Sequence, residues 1–229
     1  MAKKKKIILK IIWGIIGAFI LFVAVVFVNL LIFQYTATEV STGQPIEAYA
    51  EQHAALLVID IQEATTGEIS TDTYYKEKSD ALIKNINHLT EWFQHKNAAV
   101  LNVRSEVTNP LLNLVNNSYA KGSIGARFDK RLKTVLGVEL VKKKSDAFLN
   151  TDLDSILINN KVSEIYIVGL DAAHCVNTTV EAAKNRNYQI FIVEDAVLAK
   201  SDALKDSMMV VFRNQGVKVL KMDSLLSIH

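Results

Sequence analysis

The hydrophobic and polar positions divide this chain into one long apolar segment and a series of shorter runs. Residues 11–33 are apolar apart from Asn29, over a length of 23 residues. At 1.5 Å per residue, such a helix is about 35 Å long, enough to cross a hydrocarbon layer about 30 Å thick. The pattern predicts a transmembrane helix over 11–33, between a basic terminus at 1–10 and a polar linker at 34–53.

A cleaved signal peptide is the alternative interpretation of the same segment. The apolar region of a signal peptide usually has about 7–15 residues and is followed by a cleavage site made of small residues. The run here is longer, and residues 36–38 match such a site only weakly. The length therefore favours a retained anchor.

Beyond the linker, residues 54–229 form one predicted domain in which β-branched apolar runs alternate with helical patterns. The runs predict six strands, at 55–60, 98–103, 138–142, 164–170, 189–193 and 216–220. Apolar spacings of three and four residues predict helices at 72–95, 151–160, 175–187 and 201–214. Strands that are apolar on both faces and alternate with helices are typical of a parallel sheet covered on both sides. The predicted fold class is therefore α/β, doubly wound, with a mainly parallel six-stranded sheet.

Charge predicts the orientation of the apolar segment. The first 33 residues contain five lysines and no acid, whereas the remainder has 21 basic and 24 acidic side chains. By the positive-inside rule, the N-terminus is expected in the cytoplasm and the domain on the extracytoplasmic side, periplasmic or extracellular. Because the domain has no basic excess, no nucleic-acid partner is predicted.

Three reactive side chains fall at or just after predicted strand ends, where the sites of parallel sheets form. Asp60 ends the first strand, Lys142 ends the third, and Cys175 follows the fourth at the start of a helix. A helix N-terminus and a nearby lysine both lower the pKa of a thiol, and a carboxylate can carry its proton. Simpler interpretations are a buried structural cysteine, a turn aspartate and a solvated lysine run, in which spacing alone does not separate Lys142 from Lys144.

No ligand set for a metal or cofactor is evident in the sequence. The five histidines are scattered without a metal-ligand spacing. There is also no glycine-rich loop of the phosphate-binding type. The sequence therefore predicts neither a metal nor a cofactor.

Five segments resemble, in order, the motifs of the isochorismatase-like cysteine hydrolases of the nicotinamidase/isochorismatase superfamily. These segments are 57–62, 121–126, 141–153, 168–179 and 193–196. Together they extend the resemblance over about residues 54–222. In the lysine motif of that family the catalytic lysine lies six residues before a phenylalanine, and this register selects Lys142 relative to Phe148.

The resemblance implies a triad of Cys175, Asp60 and Lys142 that hydrolyses an amide of a small molecule through a thioester. It also implies a cis peptide bond at Leu170–Asp171. The oxyanion hole would use the backbone N–H groups of Asp171 or Ala172 and of Cys175. The residues expected to border the substrate pocket are Gln62, Phe148 and His174.

The chain departs from the resemblance at three places that bear on the substrate, one of which is the absence of the aromatic residue that usually follows the first motif, since residues 63–66 after Gln62 contain none. Nicotinamidases have an Asp-Trp-His-Pro type metal motif, whereas residues 102–110 here contain no histidine, which argues against bound zinc or iron and against nicotinamide. Position 171 is aspartate where a small apolar residue is usual. The prediction is therefore a membrane-anchored, metal-independent amidohydrolase of open substrate. The alternative is a non-hydrolytic binding or redox-sensing module, and a homo-oligomer is considered because family members often form dimers or tetramers.

Overall fold

The first element of the structure, a computed structural model, is a long N-terminal helix, α1 (Ala2–Ala37). The structure describes residues 2–227, so Met1 and residues 228–229, at the outer ends of the predicted basic terminus and domain, lie outside the described residues. The most apolar 18-residue window of α1 has a mean hydropathy of 3.0 and is not buried. By length and composition, α1 is able to cross a membrane. It extends beyond the predicted span at both ends, and before residue 11 the lysines that extend it are good helix formers.

Six strands form one sheet in the order β3-β2-β1-β4-β5-β6, and each neighbouring pair is parallel. The strands are β1 (His53–Ile59), β2 (Ala99–Ser105), β3 (Val138–Lys142), β4 (Val162–Gly169), β5 (Gln189–Val197) and β6 (Lys218–Leu220). The predicted doubly wound sheet is confirmed. The strand order reverses between β1 and β4, which is where open parallel sheets form their binding crevices.

Helices cover both faces of this sheet. Two of them, α2 (Thr73–His95) and α7 (Met222–Leu226), pack on one face. The opposite face is covered by α4 (Leu153–Asn159), α5 (Asn177–Lys184) and α6 (Asp202–Asn214). The short helix α3 (Pro110–Val115) lies beside α1, and a 3-10 turn (Thr134–Leu136) precedes β3.

The longest of the covering helices, α2, forms where the apolar spacing predicts it. The side chain of Asp72 accepts a hydrogen bond from the backbone N–H of Tyr75 at 3.0 Å and thereby caps the first turn. Leu82, Ile86 and Phe93 are buried against the sheet. The apolar face of α2 is therefore its packing face.

Two segments that carry no regular pattern in the sequence are nevertheless packed. The linker after α1 is docked on the domain, because the N–H of Ile46 donates to the carbonyl of Arg186 at 2.9 Å. The interval 104–130 contains α3, whose first turn is capped by Asn109 through the N–H of Leu111 at 3.0 Å. Hydrogen bonds, rather than helical or strand periodicity, hold both segments in place.

One glycine sets the distance between the two central strands. Gly169 ends β4 with a φ of +109°, and a Cβ at this position would overlap the carbonyl oxygen of Ile59 in β1. Only glycine combines this backbone conformation with so close an approach. The carboxyl ends of β1 and β4 are thereby held together at the reversal of strand order.

Candidate active site

The carboxyl ends of four strands converge on one cavity of about 350 Å³. Asp60 follows β1. Ser105 ends β2 and Lys142 ends β3, and these two residues are directly paired in the sheet. Cys175 lies in a π-helical turn (Ala172–Val176) that follows β4 and continues into α5. The structure thus brings Asp60, Lys142 and Cys175 together, and it adds Ser105.

Lys142 lies at the centre of this group and its side chain is 0% exposed. Its Nζ is 2.9 Å from Asp60 Oδ2 and 3.1 Å from Cys175 Sγ. The same ammonium donates to Ser105 Oγ at 2.7 Å and to the carbonyl of Lys144 at 3.1 Å. A single buried cation therefore joins the thiol to the carboxylate.

The carboxylate of Asp60 is held from several directions. Its backbone has a φ of +56°, a left-handed conformation that aspartate tolerates better than most residues. The N–H donates to the carbonyl of Val103 at 2.8 Å, and the carbonyl accepts from Thr65 Oγ1 at 2.7 Å. Oδ1 accepts from Ser105 Oγ at 2.9 Å. Asp60 is therefore oriented before any substrate arrives.

Burial determines the protonation of the cysteine. It raises the pKa of the Cys175 thiol to about 12; the charge of Lys142 acts in the opposite direction, and that of Asp60 raises the pKa further. Burial also disfavours the ammonium form of Lys142, but the attraction of Asp60 and of the Cys175 sulfur outweighs it and raises the pKa of Lys142 above its usual range. Both shifts favour the protonated forms, the thiol of Cys175 and the ammonium of Lys142. The expectation of a lowered thiol pKa is wrong, because it included the lysine and the helix but neither burial nor the charge of Asp60.

The backbone donors around Cys175 differ in availability. The Leu170–Asp171 peptide bond is cis, as the resemblance implied. The N–H of Ala172 donates to the carbonyl of Leu198 at 2.8 Å, which joins the turn to the end of β5. Because this N–H already has an acceptor, the prediction that Ala172 is an oxyanion donor is wrong. The N–H groups of Asp171 and Cys175 are the remaining candidates.

The three residues expected to border the substrate do not line this cavity. Gln62 is buried, where its amide donates to two backbone carbonyls and its Oε1 accepts from the N–H of Ser105 at 2.8 Å. Phe148 belongs to the core, with the Arg186 guanidinium carbon 4.3 Å from the centre of its ring. His174 is exposed on the π-helical turn. The prediction that these three residues border the substrate is wrong, because a motif gives the place of a residue in the chain and not the direction of its side chain.

Other residues of the cavity wall carry no local signal in the sequence. Tyr75 comes from the start of α2 and Tyr119 from the interval 104–130. Burial and neighbouring carboxylates raise the pKa of both phenols above the usual range, so both stay neutral hydroxyls. Ser105, by contrast, does carry a signal in the sequence, because it ends a strand at the same edge of the sheet as Lys142. The wall also includes Phe33 and Ala37 from the last turns of α1.

The donors in this cavity do not fit zinc or iron. Within residues 2–227, no group of three or more His, Cys, Asp or Glu side chains is placed to hold a metal ion. The carboxylate of Glu106 is 2.6 Å from Arg104, and that of Asp60 is paired with Lys142. The third carboxylate of the cavity wall, that of Asp171, accepts hydrogen bonds from the Tyr75 hydroxyl and from the N–H of Ala173.

Comparison with known proteins finds relatives of the region that follows the linker. The family model for the Isochorismatase domain matches residues 54–224. An uncharacterized isochorismatase family protein of Bacillus subtilis, YrdC, is 25% identical over 152 residues, or 65% of this chain and 75% of the relative. A probable inactive nicotinamidase of Arabidopsis thaliana is 24% identical over 73% of this chain and 91% of the relative. The crystal structure of N-carbamoylsarcosine amidase from Thermoplasma acidophilum has 26% identity and a TM-score of 0.64, covering 75% of this chain and 98% of that chain.

Proposed function

The chain belongs to the isochorismatase family, and on this premise we propose that it is a cysteine hydrolase that cleaves the amide bond of a small molecule. The observation that carries the proposal is the position of Lys142 Nζ, 3.1 Å from the Cys175 sulfur and 2.9 Å from the Asp60 carboxylate. A nucleophile, a proton carrier and a fixed cation are the groups that acyl transfer to a thiol requires. The amidase from Thermoplasma acidophilum has a related sequence and fold.

Acylation begins from the protonated thiol. Asp60 accepts the proton of Cys175 while the sulfur forms a bond to the carbonyl carbon. Lys142 remains charged throughout and offsets the negative charge that passes between sulfur and carboxylate. The carbonyl oxygen becomes an oxyanion, which the N–H groups of Asp171 and Cys175 are proposed to stabilise.

Collapse of this intermediate breaks the C–N bond. Asp60 returns the proton to the departing nitrogen, so that an amine or ammonia leaves and a thioester remains on Cys175. Water then attacks the thioester and transfers a proton to Asp60. Release of the carboxylic acid breaks the C–S bond and returns the proton to the thiol, which restores the starting state without any redox change.

The raised pKa of the Cys175 thiol disfavours the redox-sensing alternative. Oxidation of cysteine to sulfenic acid requires an accessible thiolate. Here burial raises the pKa of the Cys175 thiol to about 12. A carbonyl compound, which the sulfur attacks while Asp60 takes the thiol proton, suits this site better than peroxide does.

We also propose that α1 remains attached and anchors the domain on the extracytoplasmic side. The supporting observations are the unburied apolar window of α1 and the five lysines that precede or begin the apolar run. The contribution of Phe33 and Ala37 to the cavity wall also favours retention. The intact mass of the protein from carbonate-washed membranes tests this: the full chain is expected, and a chain starting near residues 36–38 would indicate a cleaved signal peptide.

The hydrolase proposal is tested with acylation of the single cysteine in the full chain. Short-chain p-nitroanilides are expected to release p-nitroaniline and to leave a transient acyl group on Cys175 in intact-mass spectra. The Cys175→Ala variant is expected to lose both signals and to keep its thermal midpoint, whereas His174→Ala, at the exposed neighbour, is expected to keep the rate within about twofold. Undiminished turnover in Cys175→Ala, or no acyl adduct on the unsubstituted chain, would overturn the proposal.

A further inference from the structure

The last turns of α1 pack against the domain instead of standing away from it. The amide of Asn109 donates to Asn29 Oδ1 at 2.7 Å, and this pairs the one polar residue of the apolar run with α3. Two turns later, the N–H of Ser145 donates to the carbonyl of Ala37 at 2.9 Å. Contacts at both levels orient this end of α1 on the domain.

This docked end forms part of the catalytic cavity. Phe33 and Ala37 line the same cavity as Cys175. The Lys144 ammonium donates to the hydroxyl of Thr36 and lies 5.6 Å from the centre of the Phe33 ring. The carbonyl of Lys144 accepts from the Lys142 ammonium at 3.1 Å. One residue therefore separates the anchor helix from the catalytic cation.

The position of Phe33 along α1 places the cavity at the edge of the membrane. Phe33 is the last residue of the apolar run, and Asn29 lies four residues earlier, about 6 Å along the helix axis. Because Asn109 caps α3, that helix begins beside the apolar end of α1. It exposes Leu114 and Val115 at 68% and 62%. Exposed apolar side chains beside a spanning helix are suited to the interfacial layer of a bilayer.

From these contacts we propose that the substrate is a fatty acyl amide that enters from the membrane, with its carbonyl at Cys175 and its hydrocarbon chain against α1 at Phe33. The inference rests on the proposed amide hydrolysis and names its substrate class. The aromatic ring of Phe33 offers methylene groups an apolar contact and no hydrogen bond. A bilayer supplies such a chain already concentrated at the level of Phe33.

The order of the chemical steps places the chain on the acyl side of the amide. The nitrogen leaves before water attacks, so the amine side has to open towards water. The acyl group stays bonded to Cys175 during this exchange and remains against Phe33. Hydrolysis therefore returns a fatty acid to the membrane and releases a polar amine or ammonia into water.

The test compares acyl p-nitroanilides of increasing length with the full chain reconstituted in phosphatidylcholine vesicles. From butyryl to decanoyl, kcat/KM is expected to rise by up to about fourfold per methylene, the factor for complete burial of each CH₂ group. The Phe33→Ala variant is expected to lower kcat/KM for the decanoyl substrate at least about tenfold. For the acetyl substrate the loss is expected to be smaller, so that the ratio of decanoyl to acetyl kcat/KM falls in this variant.

Matched variants distinguish contact of the acyl chain with the cavity wall from simple partition of the substrate into lipid. Phe27→Ala removes an equal aromatic ring from the same helix at a position 59% exposed and away from the cavity, so both substrates are expected to keep their rates. Phe33→Leu retains an apolar wall and is expected to keep the chain-length dependence. Thermal midpoints of all variants identify any loss of folding.

The outcomes distinguish this inference from the hydrolase proposal. Equal effects of Phe33→Ala and Phe27→Ala on the decanoyl substrate, or acetyl and decanoyl substrates cleaved alike, would overturn the membrane substrate and leave hydrolysis by Cys175 intact. If no anilide of any length acylates Cys175, the hydrolase proposal fails and this inference fails with it. A loss that is greater for long chains than for the acetyl substrate, in Phe33→Ala alone, supports the inference.

Discussion

Replacement of Lys142 by methionine isolates the buried charge at the centre of the site. Methionine has nearly the same length and leaves no large cavity, so the main change is the loss of the ammonium. Lys142 is 0% and Asp60 8% exposed, and the two are 2.9 Å apart. Removal of one partner from a buried ion pair costs about 3–5 kcal/mol. Because Ser105 still donates to Asp60, we expect Lys142→Met to lower the free energy of unfolding by about 3 kcal/mol.

A double-mutant cycle shows whether this cost comes from the unpaired carboxylate. In Asp60→Asn/Lys142→Met both charges are absent, so the double variant is expected to be more stable than Lys142→Met alone. The neighbouring exposed lysine supplies the matched control, because Lys143→Met is expected to change stability by less than about 0.5 kcal/mol. The geometry therefore predicts that the two substitutions together lower the free energy of unfolding by less than the sum of their separate effects.

Denaturant unfolding of the full chain in a non-ionic detergent measures these values. A Trp13→Phe background removes the tryptophan of α1, so that the fluorescence of Trp92 on α2 reports unfolding of the domain. Additive effects of Asp60→Asn and Lys142→Met would refute the assignment of a coupled pair. A Lys142→Met variant as stable as Lys143→Met would refute the burial argument as well.

Two further predictions concern the thiol and the central strands. Iodoacetamide labelling of Cys175, followed by intact mass, should be slow at pH 8 and rise above pH 9, and a labelling plateau below pH 9 would contradict this. The free energy of unfolding should fall from about pH 9 towards 12, because the folded thiol keeps a proton that the unfolded thiol has lost. Asp60→Asn should speed labelling, because it removes a charge that raises the pKa of the thiol. Gly169→Ala should prevent folding or lower the thermal midpoint far more than Gly216→Ala, which also has positive φ but no atom near the added Cβ; equal midpoints would show that β1 and β4 can separate at no cost.

The sequence by itself determined the fold and the positions of the three reactive residues along it. Apolar runs that alternate with helical patterns have few packing solutions other than a covered parallel sheet. In such a sheet the carboxyl ends of the strands share an edge, so Asp60, Lys142 and Cys175 were expected to meet. The motif register then separated Lys142 from Lys144, which strand alternation alone could not do.

Only the tertiary structure decided how these residues behave and what surrounds them. The pKa of Cys175 depends on burial and on the charge of Asp60, which are properties of the packed site. The side chains of Gln62 and Phe148 turn into the core because hydrogen bonds and packing there are available to them. The contribution of Phe33 to the cavity arises from contacts between segments more than one hundred residues apart in the chain, which no local pattern encodes.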